Sequence, residues 1–198
     1  DIKIPADLLE EIARVYGYDK IPTTLMDDEL PPQRSNVELE VEERVRDLLV
    51  GAGLQETITY SMGNLESFGK LRPGDPMPKP EDYVQLANPL TPERAFMRRT
   101  LMSSALETVG DNLRFVERVA IFEISRVYWP RAASRAEDEV LPEEPRHLCI
   151  AMTGPRAIRS WLEDEVEAMD FYDLKGVVDA VLAGLGLQQV IEADLEIE

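Results

Sequence analysis

The sequence predicts an α+β protein in which helices flank an antiparallel sheet. Two observations lead there. Strand-like runs are separated by long loops and only occasional helices, and strand and helix do not alternate regularly along the chain. A third observation bounds the size: 198 residues with 44% hydrophobic content suffice for one substantial core and a small neighbouring element. No internal repeat is visible.

Taken in order, Leu8, Leu9, Ile12, Val15 and Tyr16 fall on one helical stripe within Asp7 to Tyr16, and Gly17 supplies a stop. Ser35 and Glu38 form a capping-box pattern ahead of Val37, Val41, Val45, Leu48 and Leu49, which predicts a second helix ending at Gly51. The β-branched and aromatic run Thr57 to Tyr60 reads as a strand. From Met62 to Asp82, four prolines and Gly63, Gly69 and Gly74 predict a long loop, followed by a strand over Tyr83 to Ala87. Phe96 to Thr100 reads as another strand and Met102 to Leu113 as a helix. Val119 to Tyr128 is apolar at successive positions, the pattern of a strand buried on both faces, and Pro130 ends it. Beyond a polar stretch with Pro142 and Pro145, Leu148 to Met152 reads as a strand and Leu174 to Leu185 as a helix stopped by Gly186. Asp170 or Asp173 is placed to cap that helix, and Val190 to Ile197 starts one more strand.

Charge and composition exclude several roles. Lys and Arg total 21 against 39 Asp and Glu, and the formal charge of −18 argues against a surface that tracks phosphate backbones unaided. The apolar stretches are too short to span a bilayer, and the first residues have neither a basic segment nor an apolar secretory core, so a cytoplasmic location is expected. Cys149 stands alone between Leu148 and Ile150, a small apolar strand residue by its setting, and His147 beside it lies in no nucleophile motif. The chain opens in charged and apolar residues without an initiating Met, as a piece of a longer polypeptide would.

On the first helix, Asp7, Glu10 and Glu11 stand at i, i+3 and i+4, so their carboxylates share a face away from the apolar stripe. Two readings are open. Hard oxygen ligands suit Mg²⁺, which takes one or two carboxylates and keeps several waters. A solvated acidic face, with Asp7 in the first turn complementing the helix dipole, accounts for the same pattern.

The string Asp7-Leu8-Leu9-Glu10-Glu11-Ile12-Ala13-Arg14-Val15-Tyr16-Gly17-Tyr18-Asp19-Lys20-Ile21-Pro22, preceded by Asp1-Ile2, closely resembles a signature of the bacterial-type phenylalanyl-tRNA synthetase beta chain family. Further matches follow in family order at Gly53 to Thr57, Asn88 to Thr91, Met97 to Leu101, Ile121 to Tyr128 and Phe171 to Gly176. The resemblance implies the end of a magnesium-site, DNA-binding-like domain at residues 1–23 and a class II synthetase catalytic-like domain at 24–198, truncated at its C-terminus. It also implies a role in ATP-dependent attachment of phenylalanine to tRNA, within an assembly of two alpha and two beta chains. The implied magnesium site, shared with the alpha chain, uses Asp1, Asp7, Glu10 and Glu11. Editing and anticodon contact belong, in that family, to other regions of the beta chain.

Class II enzymes stabilise charge at the ATP α-phosphate with an arginine in an aromatic-Arg-x-acid pattern after a strand, as the resemblance implies. Here the comparable strand end reads Tyr128-Trp129-Pro130-Arg131, so neither arginine nor acid is in place, and the chain ends before the glycine-rich segment of such enzymes. No catalytic or nucleotide-binding residue is therefore expected in this chain. Arg98, Arg99 and Arg126 are expected to pair with acids rather than to bind nucleotide. The helix from Ser35 to Val50 and the run Thr57 to Tyr60 match the element that builds dimer interfaces in this class, which implies docking on the alpha chain or self-association. The rival readings are an independently active adenylate-forming enzyme and a metal-free acidic interaction module.

Overall fold

The computed structural model describes residues 2–32, 34–130, 141–157, 160–161 and 166–187. The chain divides into two units, Asp1–Ser35 and Asn36–Glu198.

In the first unit, α1 spans Pro5–Tyr16. Pro5 suits the first helical position because its missing N–H would be unpaired there anyway. The helix closes at Gly17, whose N–H donates to Ala13 O at 2.8 Å and whose φ of 105° turns the chain out of the helix into a 3₁₀ turn over Tyr18–Lys20. No residue of α1 is buried; Leu8, Leu9, Ile12, Val15 and Tyr16 are all half exposed or more.

The second unit opens with α2, Val37–Gly51. Its cap is Asn36, whose side chain accepts from Leu39 N at 3.3 Å, so the expected Ser35 cap is displaced by one residue. The helix runs through Gly51 and the positive φ, +86°, falls at Gly53 instead, turning the chain so that Leu54 enters the core. Two residues of β1, Gln55–Glu56, then pair parallel with β4, Val119–Arg126, placing Gln55 opposite Ile121 and Glu56 opposite Phe122. The ladder stops after Thr57 N reaches Phe122 O at 2.8 Å, so the run Thr57 to Tyr60, expected as a strand, joins no ladder among the described residues.

A small antiparallel pair joins β2, Met62–Gly63, to β3, Phe96–Met97. The expected loop between 62 and 82 contains a short helix, α3 at Leu65–Gly69, because Asn64 caps Ser67 N at 2.7 Å and Phe68 anchors the turn by stacking on Tyr83 with ring centres 5.1 Å apart. Where a strand over Tyr83 to Ala87 was expected there is one bridge, Gln85 to Phe96, with single bonds on either side. Helix α4 covers Met102–Asn112.

Strand β5, Arg146–Thr153, pairs antiparallel with all of β4, from Val119 opposite Thr153 to Arg126 opposite Arg146. The sheet order is β1-β4-β5, a mixed sheet with one parallel and one antiparallel junction. Helix α5, Phe171–Gly184, carries the expected aspartate cap: Asp170 accepts from Tyr172 N and Asp173 N, and Asp173 returns a bond to Asp170 N at 2.8 Å. Gly186 follows with φ +76°. The strand expected at Val190 to Ile197 lies outside the described residues.

β4 is buried on both faces, as its apolar run predicts. Its Ala120 and Phe122 pack with Leu49 and Leu54 beneath α2 and with Val177 and Val181 of α5. Burying one such side chain is worth roughly 1.5–3 kcal/mol. Gly184 lets α5 approach α2 closely, since a Cβ there would stand 2.6 Å from Leu48 Cδ1, and Arg44 Nε donates to Gly184 O at 2.8 Å. On the opposite side, Leu101 and Ala105 of the α4 segment pack with Val127, Cys149 and half-buried Trp129. Burial pushes the Cys149 thiol pKa up, consistent with an apolar strand residue.

Gly154, after β5, has φ +96°, and a Cβ there would lie 2.0 Å from Glu117 O. Gly154→Ala should therefore destabilise this unit by about 2 kcal/mol or more. A urea-unfolding midpoint unchanged from the unsubstituted protein would contradict that account.

Candidate functional site

β4 alternates as a strand must, so Ala120, Phe122 and Ile124 face α2 and α5 while the alternate residues face the α4 side. One of those alternate residues is Glu123, only 2% exposed in an otherwise apolar strand. A lone buried carboxylate is costly and needs partners. Arg98, 1% exposed, supplies the charge: its Nη1 lies 2.9 Å from Glu123 Oε1. The same Nη1 donates to Thr59 Oγ1 at 2.8 Å, and Thr59 Oγ1 donates to Glu123 Oε2 at 2.6 Å. Arg98 Nε also donates to Arg126 O at 3.2 Å, while Arg98 Nη2 has no partner among the described residues.

This triad lies where the ladder between β1 and β4 ends. Thr59 N donates to Glu123 Oε1 at 3.4 Å, so a side chain takes the place that a backbone carbonyl would hold in a continued strand. Arg98 N donates to Ser61 O and Tyr128 N donates to Arg98 O, each at 2.9 Å, tying both sides of the triad to the backbone. Glu123 received no role from the sequence, and Thr59 none beyond its place in the run Thr57 to Tyr60. The available signal was an acid in the middle of a strand otherwise apolar enough to be buried on both faces.

The expected pairing of the arginines is seen for Arg98 with Glu123 and for Arg126 with Glu144 at 2.8 Å. Arg99 instead lies over the Tyr83 ring, 5.6 Å from its centre. At the strand end, Trp129 Nε1 donates to Arg99 O at 3.2 Å, its backbone exchanges two bonds with Glu143, and its ring meets His147 edge-on at 5.5 Å. Trp129 is thus a packing residue on the α4 side of the sheet. Arg131 lies outside the described residues.

Beside the triad is an open cleft of about 400 Å³, lined by Thr59, Tyr60, Arg94, Glu107 and Asp111 among others. Arg94 stacks over Tyr60 at 3.7 Å, Glu107 accepts from Ser67 Oγ, and Asp111 pairs with Arg114 at 3.5 Å. Ile58 and Tyr60, flanking half-buried Thr59, are 91% and 62% exposed.

In the first unit, the acids expected to ligate magnesium are placed differently from one another. Asp7 Oδ2 accepts from Lys3 N at 2.7 Å and Ile4 N at 3.0 Å. Glu11 pairs with Arg14, Oε2 to Nη2 at 2.5 Å. Glu10 is exposed on α1, and Asp1 lies outside the described residues. Among the described residues no three Asp, Glu, His or Cys side chains converge as a metal-holding group, so α1 by itself does not fit a closed magnesium cage.

A mixed sheet with α2 and α5 on one face and α4 on the other is the fold of a class II aminoacyl-tRNA synthetase-like domain. Two solved structures of pyrrolysyl-tRNA synthetase from Desulfitobacterium hafniense share this fold, at TM-scores of 0.55 and 0.52 and 18% identity, over 76% and 77% of this chain and 48% of each of those chains. Residues 21–196 match the family model of the phenylalanyl-tRNA synthetase beta chain CLM domain, and the chain belongs to that family. It is 40% identical to the phenylalanine–tRNA ligase beta subunit of Geobacter sulfurreducens over 92% of this chain and 22% of that protein. It is 34% identical to the one from Streptococcus pneumoniae over all of this chain and 24% of that protein. The chain thus spans about a quarter or less of the length of these relatives.

The backbone bonds from Lys3 and Ile4 hold the Asp7 carboxyl below its ordinary value of 3.8. Because the folded pKa is depressed, this stabilisation of the helix start is present above the ordinary value and is lost as pH falls through the lowered one. Asp7→Asn should abolish that acid-side loss. A carbon-13 titration of the Asp7 carboxyl with its midpoint at or above 3.8 would contradict the assignment.

Proposed function

We propose that this chain is a bracing, non-activating part of a phenylalanine–tRNA ligase, which uses ATP to attach phenylalanine to tRNA. The observation that carries the reading is the side of the sheet facing α4. There the phosphate-clamping arginine position is Trp129, bonded to Arg99 O, and the neighbouring interior is filled by Leu101, Ala105 and the Arg98–Glu123 pair. An oxyanion or phosphate clamp requires fixed donors aimed into open space. Here the Trp129 indole N–H and Arg98 Nη1 and Nε are turned inward onto protein groups.

The partner is the alpha chain, in a cytoplasmic assembly of two alpha and two beta chains that also engages tRNA. The docking surface combines the exposed apolar residues of α2, Val37, Leu39, Val41 and Val50, with Ile58 and Tyr60. Apolar side chains exposed at this density favour a covered surface. Within the whole enzyme, the end of the preceding domain at 1–23 contributes an edge of a magnesium site. Glu10, Glu11, Asp1 and the Asp7 oxygen not bound to Lys3 and Ile4 supply one or two direct ligands, and waters and the alpha chain supply the rest.

In phenylalanine-dependent pyrophosphate exchange, the full-length beta chain alone should give no turnover and the alpha-beta complex should. Ile58→Asp should weaken retention of the alpha chain about tenfold or more, as expected for a charge placed in an apolar interface. Exchange by beta alone would favour the independently active enzyme, and full retention by the Ile58 variant would remove this segment from the interface. Magnesium titrated into the alpha-beta complex should perturb the Glu10 and Glu11 resonances saturably; the absence of any change would favour the metal-free acidic module.

A further inference from the structure

The exposure of Ile58 needs a cause. In β1, Glu56 lies opposite Phe122, and continuing that register would set Ile58 opposite Ile124, which packs on the core beneath α2 and α5. A strand continued in register would therefore carry Ile58 towards burial. Instead Ile58 is 91% exposed, and the chain leaves the ladder one residue earlier, at Thr57. What stands at the point of departure is Glu123, accepting from both Thr59 N and Thr59 Oγ1, with Arg98 against it.

Buried ion pairs of this kind are poor sources of net stability, because desolvation of both charges offsets most of their attraction. This one also leaves Arg98 Nη2 without a partner among the described residues. What the pair does specify is backbone position. It fixes Thr59 through its amide and hydroxyl, and Arg98 N holds Ser61 O at 2.9 Å, so Ile58 and Tyr60 on either side of Thr59 turn outward. Arg94, stacked over Tyr60 at 3.7 Å, then sets the ring.

We propose that Glu123 and Arg98, acting through Thr59, are positioning residues for the alpha-chain docking surface: they hold 57–61 off the sheet so that Ile58 and Tyr60 face the partner. This rests on the interface reading given above. The two ideas fail in different ways.

The test uses the full-length beta chain with Arg98→Met and Glu123→Leu together, a volume-matched apolar replacement. Thermal unfolding, amide exchange at 57–61 and affinity for the purified alpha chain are measured beside an Ile58→Ser variant. The double variant should keep its unfolding midpoint, exchange faster at 57–61 and bind the alpha chain about tenfold more weakly. Ile58→Ser should weaken binding with exchange unchanged. If Ile58→Ser weakens binding and the double variant does not, the positioning role is overturned and the interface stands. If neither weakens binding, the interface reading falls and the positioning role with it. Should the double variant lose its fold, Thr59→Val, which removes only the hydroxyl bridge, decides: weaker binding with a retained midpoint supports the role, and unchanged binding overturns it.

Discussion

The Arg98–Glu123 pair is the constraint around which the second unit is arranged. Two opposite charges, each almost wholly withdrawn from water, sit between the end of β1, the middle of β4 and the segment leading into α4. Removing either partner alone would strand the other in the interior, so the three segments are bound to one another by the cost of separating them. The hydroxyl of Thr59 closes the arrangement by accepting from one partner and donating to the other. The shortness of β1 and the outward turn of 58 and 60 belong to this one arrangement.

Around it the apolar packing is conventional. β4 is the shared wall of two small cores, one with α2 and α5 and one with the α4 segment and β5. The first is tightened by Gly184 against Leu48 and secured by the doubled aspartate cap of α5. At that cap Arg156 binds Asp173 through two nitrogens and also meets Glu167, so the turn after Gly154 is tied to the helix start; the Arg156 hydrogen bond holds the Asp173 carboxyl below its ordinary range. The pair is solvent-facing and its energetic weight is small, but its geometry joins the turn after β5 to the start of α5.

The sequence made the helices and the longer strands legible because their apolar periodicities run over eight residues or more. α1, α2, α4, α5 and β4 all lie where those periods place them. The errors fall where a single side chain overrides a local preference. Thr57 to Tyr60 has the composition of a strand, yet a carboxylate 64 residues away takes its amide. The region from 62 to 82 has the composition of a loop, yet Asn64 and Phe68 between them suffice for one turn of helix. β-propensity measures the fit of a side chain to a pleated surface, and it has no access to a partner supplied by tertiary structure. The same limit applies to the candidate site. Arg98 was visible as an arginine that pairs with an acid, but which acid, and through which hydroxyl, is information held by the sheet register. The family was legible throughout, because it rests on long strings of side chains rather than on conformation.

Trp129 carries a last consequence. Its indole N–H occupies Arg99 O, and its ring contributes to the core shared with Cys149 and Val127. An arginine placed at that position would not make a phosphate clamp. The guanidinium would be drawn towards the vacated carbonyl and the nearby Glu143 and Glu144, while the apolar neighbours lost their cover. Building a phosphate clamp at this strand end would thus require the bed beneath residue 129 to be rebuilt together with the residue.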